Sequence, residues 1–290
     1  MPRRVHEPVM VREVLEYLNV KTNMNIIDAT YGSGGHATAI LERVRPHGCV
    51  LGIERDPALF KIANRHEGIT LKHGTYTDMQ TMATAARMTP IHGVLFDFGV
   101  NIFHFVASNR GFSFQKTEPL DMRFDTTDGE TAAHIINTYP ADRLTDLIGR
   151  YGEERYARGI AQAIVRERKR ALIITTDQLV AAVSAGVPAW YRRGKTHFAT
   201  RTFQAFRIAV NRELDTMRTG LEVACSTVAV SGRVLALTYH SLEHKLVKQV
   251  FGSRGNGASV TAHAIKPTRE EIKANPSARS AQLRIWERTN

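Results

Sequence analysis

The chain has 290 residues, 43% hydrophobic and 23% charged, which is ordinary for a folded protein with one large core or two modest ones. Lys and Arg number 39 against 28 Asp and Glu, a formal charge of +11 that favours a polyanionic partner. Cys49 and Cys225 are the only cysteines, too few for a disulfide framework or a zinc-thiolate site, and no apolar run reaches the length of a membrane span. With no signal-peptide core at the N-terminus and a structured-looking segment already at His6, the expected location is cytoplasmic.

In chain order, Val9 to Leu18 carries apolar residues at helical spacing. Ile26 and Ile27 then lead into Asp28-Ala29-Thr30-Tyr31-Gly32-Ser33-Gly34-Gly35-His36, and a helix-like run from Ala37 to Arg45 follows at once. A strand, a glycine turn and a helix start in that order turn orphan backbone N–H groups and the positive end of the macrodipole toward a ligand. The next apolar run, Gly48 to Ile53, ends on Glu54. A carboxylate at that strand tip, about 20 residues after the glycine loop, can take both ribose hydroxyls of an adenosine cofactor. The loop lacks the third glycine of the dinucleotide pattern, and Asp28 would repel a pyrophosphate. An acid there suits the cationic sulfonium and ammonium of S-adenosyl-L-methionine.

Ile69 to Lys72 reads as a third strand, Met79 to Met88 as a helix, and Val94-Leu95-Phe96-Asp97 as a buried strand that again ends on an acid. This alternation predicts an α/β fold with a mostly parallel central sheet, helices on both faces, and ligands at the carboxyl ends of the strands. Residues 101 to 125 read as a loop rich in Phe103, Phe105, Phe112, Phe114 and Phe124, and Thr131 to Ala185 as successive amphipathic helices without a strand. The α/β pattern then resumes. Thr202 to Arg218 is expected as one long helix, Gly232 to Tyr239 as a strand, Leu242 to Phe251 as a helix, Gly252 to Ala258 as a flexible break, and Leu283 to Glu287 as a last strand. The expected organisation is therefore a first sheet segment over 1–108, an all-helical insert over 109–200, and a C-terminal sheet segment over 201–290. Arginines gather at 150–170, 192–193, 201–218 and 279–288, and their planar forks suit phosphate oxygens.

Eight segments in order resemble the bacterial 16S rRNA cytosine N(4)-methyltransferases. They are His6-Glu7-Pro8-Val9-Met10, Asp28 to His36, Arg110-Gly111-Phe112-Ser113-Phe114, Pro119-Leu120-Asp121-Met122-Arg123, Tyr151-Gly152-Glu153-Glu154-Arg155, Thr200 to Ile208, His240-Ser241-Leu242-Glu243, and Asn275-Pro276 with Arg279-Ser280-Ala281. The resemblance spans nearly the whole chain. It implies a Rossmann-like class I methyltransferase domain interrupted by a helical domain, S-adenosyl-L-methionine as donor, and as acceptor a cytidine in the decoding centre of the small ribosomal subunit and its rRNA. It leaves a homodimer open. Its cofactor contacts carry over to Gly34, Gly35, His36, Glu54, Tyr76 and Asp97. Three departures stand out: Glu54 replaces the family's usual aspartate, Tyr76 its phenylalanine, and Asn101-Ile102-Phe103-His104 its Ser-Ser-Pro-Gln, so that His104 occupies the place of a cofactor-contacting glutamine. An imidazole can donate or accept there, but it does not present an amide's carbonyl and NH2 side by side.

The amino nitrogen of cytosine is a weak nucleophile because its lone pair is delocalised into the ring. Asp97 is the expected acceptor for its N–H, with Asn101 as a second; the alternative for Asp97 is a positioning residue that fixes the loop or the methionine moiety. His36 as a helix cap and Tyr76 as ordinary core are the alternatives at those positions. The aromatic loop offers stacking surfaces for a base turned out of folded RNA, although Phe112 and Phe114 read better as core. Arg110, Arg123, Arg155, Arg201 and Arg207 are candidate phosphate ligands, some of which must instead pair with Asp121, Glu153 or Glu154. His240-Ser241-Leu242-Glu243-His244 fits a zinc-protease spacing, but a strand that runs straight into His240 separates the two histidines. A nicotinamide dehydrogenase is disfavoured by the missing glycine. A non-catalytic ribosome-assembly factor that retains the fold is the strongest competitor, because of the rewritten Asn101 to His104 segment.

Overall fold

The computed structural model describes residues 7–290, so that His6 lies outside the described residues. The chain divides into two compact units, one formed by Met1–Asn101 with Leu214–Asn290 and the other by Ile102–Glu213.

The first unit is built on a seven-stranded sheet: β1 (Ile26–Asp28), β2 (Val50–Glu54), β3 (Ile69–His73), β4 (Ile91–Asp97), β5 (Val228–Thr238), β6 (Gly257–Ser259) and β7 (Gln282–Arg288). Their spatial order is β3-β2-β1-β4-β5-β7-β6, with β1 to β5 parallel and β7 antiparallel to both β5 and β6. This is a Rossmann-like sheet, mostly parallel as the alternating pattern predicts. Every residue of β1 and β2 is buried, because helices cover both faces. Alternation along each strand sorts the core: Leu51, Ile53, Val94, Phe96, Val234 and Ala236 pack with Met79, Met217, Leu221 and Val247 on one face. Val50, Leu95, Leu235 and Leu237 pack with Val14, Ile40 and Leu283 on the other. Strand order reverses between β1 and β4, the point at which sheets of this kind receive ligands beyond their carboxyl ends.

The second unit is helical. Helices Ala132–Thr138, Ala141–Gly152, Ala157–Arg168, Thr176–Gly186 and Thr200–Asn211 enclose their own core of Leu144, Ile148, Ile160, Ile164, Leu179 and Phe206. Three details depart from the sequence reading. The aromatic loop contains a short helix, Ile102–Val106. The helix expected over Thr202 to Arg218 is two, Thr200–Asn211 and Glu213–Thr227, broken at Arg212 with φ 49. Part of the expected break after Gly252 is the edge strand β6.

Candidate active site

Register builds the site. Asp28, the last residue of β1, pairs with Gly52 on one side and Leu95 on the other. Two residues further along their strands stand Glu54 and Asp97, so three strand ends in succession deliver a carboxylate to the same edge of the sheet. On β5, Leu237 pairs with Asp97, and Tyr239 follows two residues on.

The loop from Asp28 to Gly35 is shaped by a tyrosine. Gly34 has φ 85, and a Cβ there would lie 2.5 Å from the Tyr31 hydroxyl oxygen; a Cβ on Gly52 would lie 2.3 Å from the Tyr31 ring. Tyr31, 3% exposed, thus fills the space under the loop that both glycines vacate, and its hydroxyl donates to the Asn64 carbonyl. Gly34 is the N-cap of helix Gly35–Val44, and its own carbonyl accepts from Thr38 Oγ1 at 2.7 Å. His36 does not cap the helix. Its Nε2–H donates to the Val9 carbonyl at 2.8 Å, which leaves Nδ1 facing Asp97 Oδ2 at 3.9 Å.

Asp97 is held from three directions. Its backbone N–H donates to Thr30 Oγ1 at 2.7 Å, tying the end of β4 to the loop after β1. Its Oδ1 accepts from the Tyr239 hydroxyl at 2.8 Å and from the Gly99 N–H at 3.3 Å. Burial first, and then the Asp97 charge, push the Tyr239 phenol well above its ordinary value, so it remains a donor throughout the working pH range. Asn101 reaches back over the glycine loop: its Nδ2 donates to Ser33 Oγ at 3.4 Å, and a Cβ on Gly32 would come within 2.9 Å of it. Tyr239 was missed in the sequence. Its sequence signal is its place one residue beyond β5, directly ahead of His240 and Glu243.

Two carboxyls of this row are raised. Glu54, 8% exposed, accepts from the Gly32 N–H at 2.9 Å and the Asp56 N–H at 2.7 Å. Burial outweighs both bonds and pushes it up to about 7. Asp28 is raised to about 6 by burial, partly offset by His36 and by the Thr30 N–H. Such carboxyls gain from a positively charged ligand, which would favour their ionised form.

The remaining expected residues are placed as follows. Tyr76 packs edge-on against Phe96 with ring centres 5.4 Å apart, and Gly220 leaves the space beside it: a Cβ there would lie 2.4 Å from the Tyr76 ring. His104 belongs to the helical unit, 5% exposed, and its ring lies 5.0 Å from that of Phe112 and 4.9 Å from that of Phe124. Phe114 is packed on Phe203 and His197. Three of the candidate phosphate arginines have internal duties. Arg123 forks onto Asp121, Arg207 forks onto Glu213, and Arg110 donates to the carbonyls of Arg123 and Phe124. Arg155 and Arg201 stay exposed. The His240 to His244 spacing is a capping box: His240, in extended conformation, caps helix Ser241–Ser253 together with Glu243, so that only His244 lies within the helix.

Comparison with known proteins gives the same direction. The model of the MraW methylase family matches residues 3–289. The ribosomal RNA small subunit methyltransferase H of Thermomicrobium roseum is 43% identical, over 98% of this chain and 93% of that one. The proteins of the same name from Thermotoga neapolitana and Dictyoglomus thermophilum are 41% and 39% identical and are covered to 95% and 97%. Matched over residues 3–289 by one family model, the chain belongs to the MraW methylase family.

Proposed function

We propose that this protein transfers a methyl group from S-adenosyl-L-methionine to the exocyclic N(4) amine of a cytidine in small-subunit rRNA, acting in the cytoplasm on the subunit or its rRNA. The observation that carries this reading is the row of strand-end groups Asp28, Glu54, Asp97 and Tyr239 in a chain matched over residues 3–289 by the MraW methylase model. The donor fits these residues: the glycine loop has no side chains at Gly32, Gly34 and Gly35 to obstruct it, Glu54 offers a carboxylate for a ribose diol, and the acids complement a cation. When bound, the donor supplies an electrophilic methyl group on sulfur.

The chain's own residues do the rest. Gly34, Gly35 and His36 form the loop that receives the donor, Glu54 takes its ribose, and Tyr76 flanks its adenine. Asp97 Oδ2, opposite the oxygen bonded by Tyr239, accepts an N–H of the acceptor amine and holds its lone pair toward the methyl group. Asn101 lends its side-chain carbonyl as a second acceptor. Alignment of this kind lowers a barrier by about 7–11 kcal/mol at best. No proton need leave before transfer, since the N–H becomes acidic only after methylation. The test is incubation of the protein with labelled donor and small subunits from a strain lacking the enzyme, followed by mapping of the label. Label on a cytosine amine is the expected result. Donor binding with no transfer to subunits or their rRNA would replace this reading with that of an assembly factor.

A further inference from the structure

Within the helical unit lies an open cavity of about 450 Å³ whose walls include Arg155, Trp190, Arg193, Lys195 and Arg201, with no carboxylate among its lining residues. It shares no residue with the candidate active site. Trp190, 60% exposed, is the one large aromatic of this wall left open to solvent. Around it the side chains pack on one another. The Arg155 guanidinium lies 4.8 Å from the centre of the Trp190 ring and 4.9 Å from those of Tyr156 and Tyr191. Tyr191 stands edge-on to Trp190 at 6.0 Å, and its hydroxyl donates to Glu154 Oε2 at 2.7 Å. Glu154, 3% exposed, also accepts the Tyr156 N–H at 2.9 Å, so this acid is engaged beneath the aromatics. Arg201 is steadied by its bond to the Glu153 carbonyl at 3.0 Å.

An exposed indole fixed by a guanidinium, beside several cationic side chains, matches what an unpaired nucleotide requires: a face for the base and charge for its flanking phosphates. We propose that this cavity is a second RNA subsite, which takes one unpaired nucleotide of the substrate other than the cytidine that is methylated. The proposal rests on the rRNA-methyltransferase reading and adds to it where the helical unit grips the strand. Base stacking there is sequence-tolerant, so the subsite contributes affinity and register and does not read a particular base.

The probe is a short unstructured oligouridylate, and the signal is tryptophan fluorescence. Trp286, the other tryptophan, is fully buried, so quenching on titration reports Trp190. Trp190→Ala is expected to weaken oligouridylate binding about tenfold, and Trp190→Phe by less. The double variant Arg193→Ala with Lys195→Ala should lower the slope of log affinity against log salt by about 0.7 for each phosphate that is no longer neutralised. With small subunits as substrate, Trp190→Ala should raise KM and leave kcat and donor affinity unchanged, which a misfolded variant would not do. Three results would overturn the proposal: quenching that persists in Trp190→Phe, unchanged oligouridylate affinity and KM in Trp190→Ala, or equally tight binding of an acidic peptide, which would assign the cavity to a protein partner. Wild-type protein that binds oligouridylate through Trp190 but methylates no subunit would overturn the enzymatic reading and leave the RNA subsite standing.

Discussion

If Glu54 holds the donor, its elevated carboxyl should make donor binding depend on pH in a window where surface carboxylates are silent. A carboxyl that titrates at about 7 is about nine-tenths ionised at pH 8 and about one-tenth at pH 6. If the ionised form alone holds the ribose, donor affinity should fall close to tenfold between those two values, about 1.4 kcal/mol. Asp28, raised to about 6, is still half ionised at the lower pH and adds at most about a factor of two. Titration calorimetry from pH 6 to 8 measures this directly. In buffers of different ionisation heat it should also register proton release on binding at pH 6 to 7, because a cationic ligand favours the charged carboxylates. Glu54→Gln should bind more weakly at pH 8 and lose most of the slope. The stability sign is opposite. A raised carboxyl pKa favours the folded chain fully below the ordinary value of 4.5, and that advantage is lost as pH rises through about 7, so the donor-free protein should become less stable over the range in which it binds better. A flat affinity profile in the wild type, or an unchanged slope in Glu54→Gln, would refute the assignment of this carboxylate to the donor.

Other substitutions address the rest of the site. Asp97→Asn should lower kcat by about 10² or more while the thermal midpoint moves little, as single-turnover transfer and melting would show; full activity would remove Asp97 from the chemistry. Tyr239→Phe deletes the donor on Asp97 Oδ1 and should cost roughly tenfold in transfer with donor affinity kept, and a loss confined to donor binding would contradict it. Gly34→Ala puts a Cβ 2.5 Å from the Tyr31 hydroxyl at φ 85 and should destabilise the protein by about 1–3 kcal/mol in denaturant melts. Asp56→Ala removes the carboxylate that accepts from the Ala58 and Leu59 N–H groups and should cost about 1 kcal/mol, with donor binding kept.

The sheet and its ligand-facing edge were legible because strand, turn and helix signals there agree with one another, and because Glu54 and Asp97 each terminate an apolar run. What escaped the sequence depends on partners distant along the chain. Nothing between Thr202 and Arg218 resembles a helix breaker, yet Asn211 bonds the Phe124 N–H and the Met122 carbonyl, each at 2.7 Å, and the next residue turns left-handed. The strand β6 is three small residues whose only argument for extension is pairing with β7, where Gly257 admits the Trp286 ring: a Cβ there would lie 2.2 Å from it. Ile102-Phe103-His104-Phe105-Val106 has poor intrinsic helix propensity and is helical all the same, with His104 packed among aromatic rings. The arginines gave the net charge correctly but not their individual duties, since forks such as Arg207 on Glu213 are visible only after folding.

The interruption of the sheet between β4 and β5 has a consequence for biosynthesis. β5 pairs with β4 on one side and β7 on the other, so the middle of the sheet cannot close until all of Ile102–Glu213 has left the ribosome. Until then the carboxyl end of β4, with Asp97, lacks its neighbour and Tyr239 does not yet exist. The helical unit carries a core of its own and can condense while the sheet waits, which shortens the effective loop that β4 and β5 must close. A chain truncated after Glu213 and released from the ribosome should therefore hold a protease-resistant helical body attached to a half-built sheet, with β4 as an open edge in need of protection from aggregation.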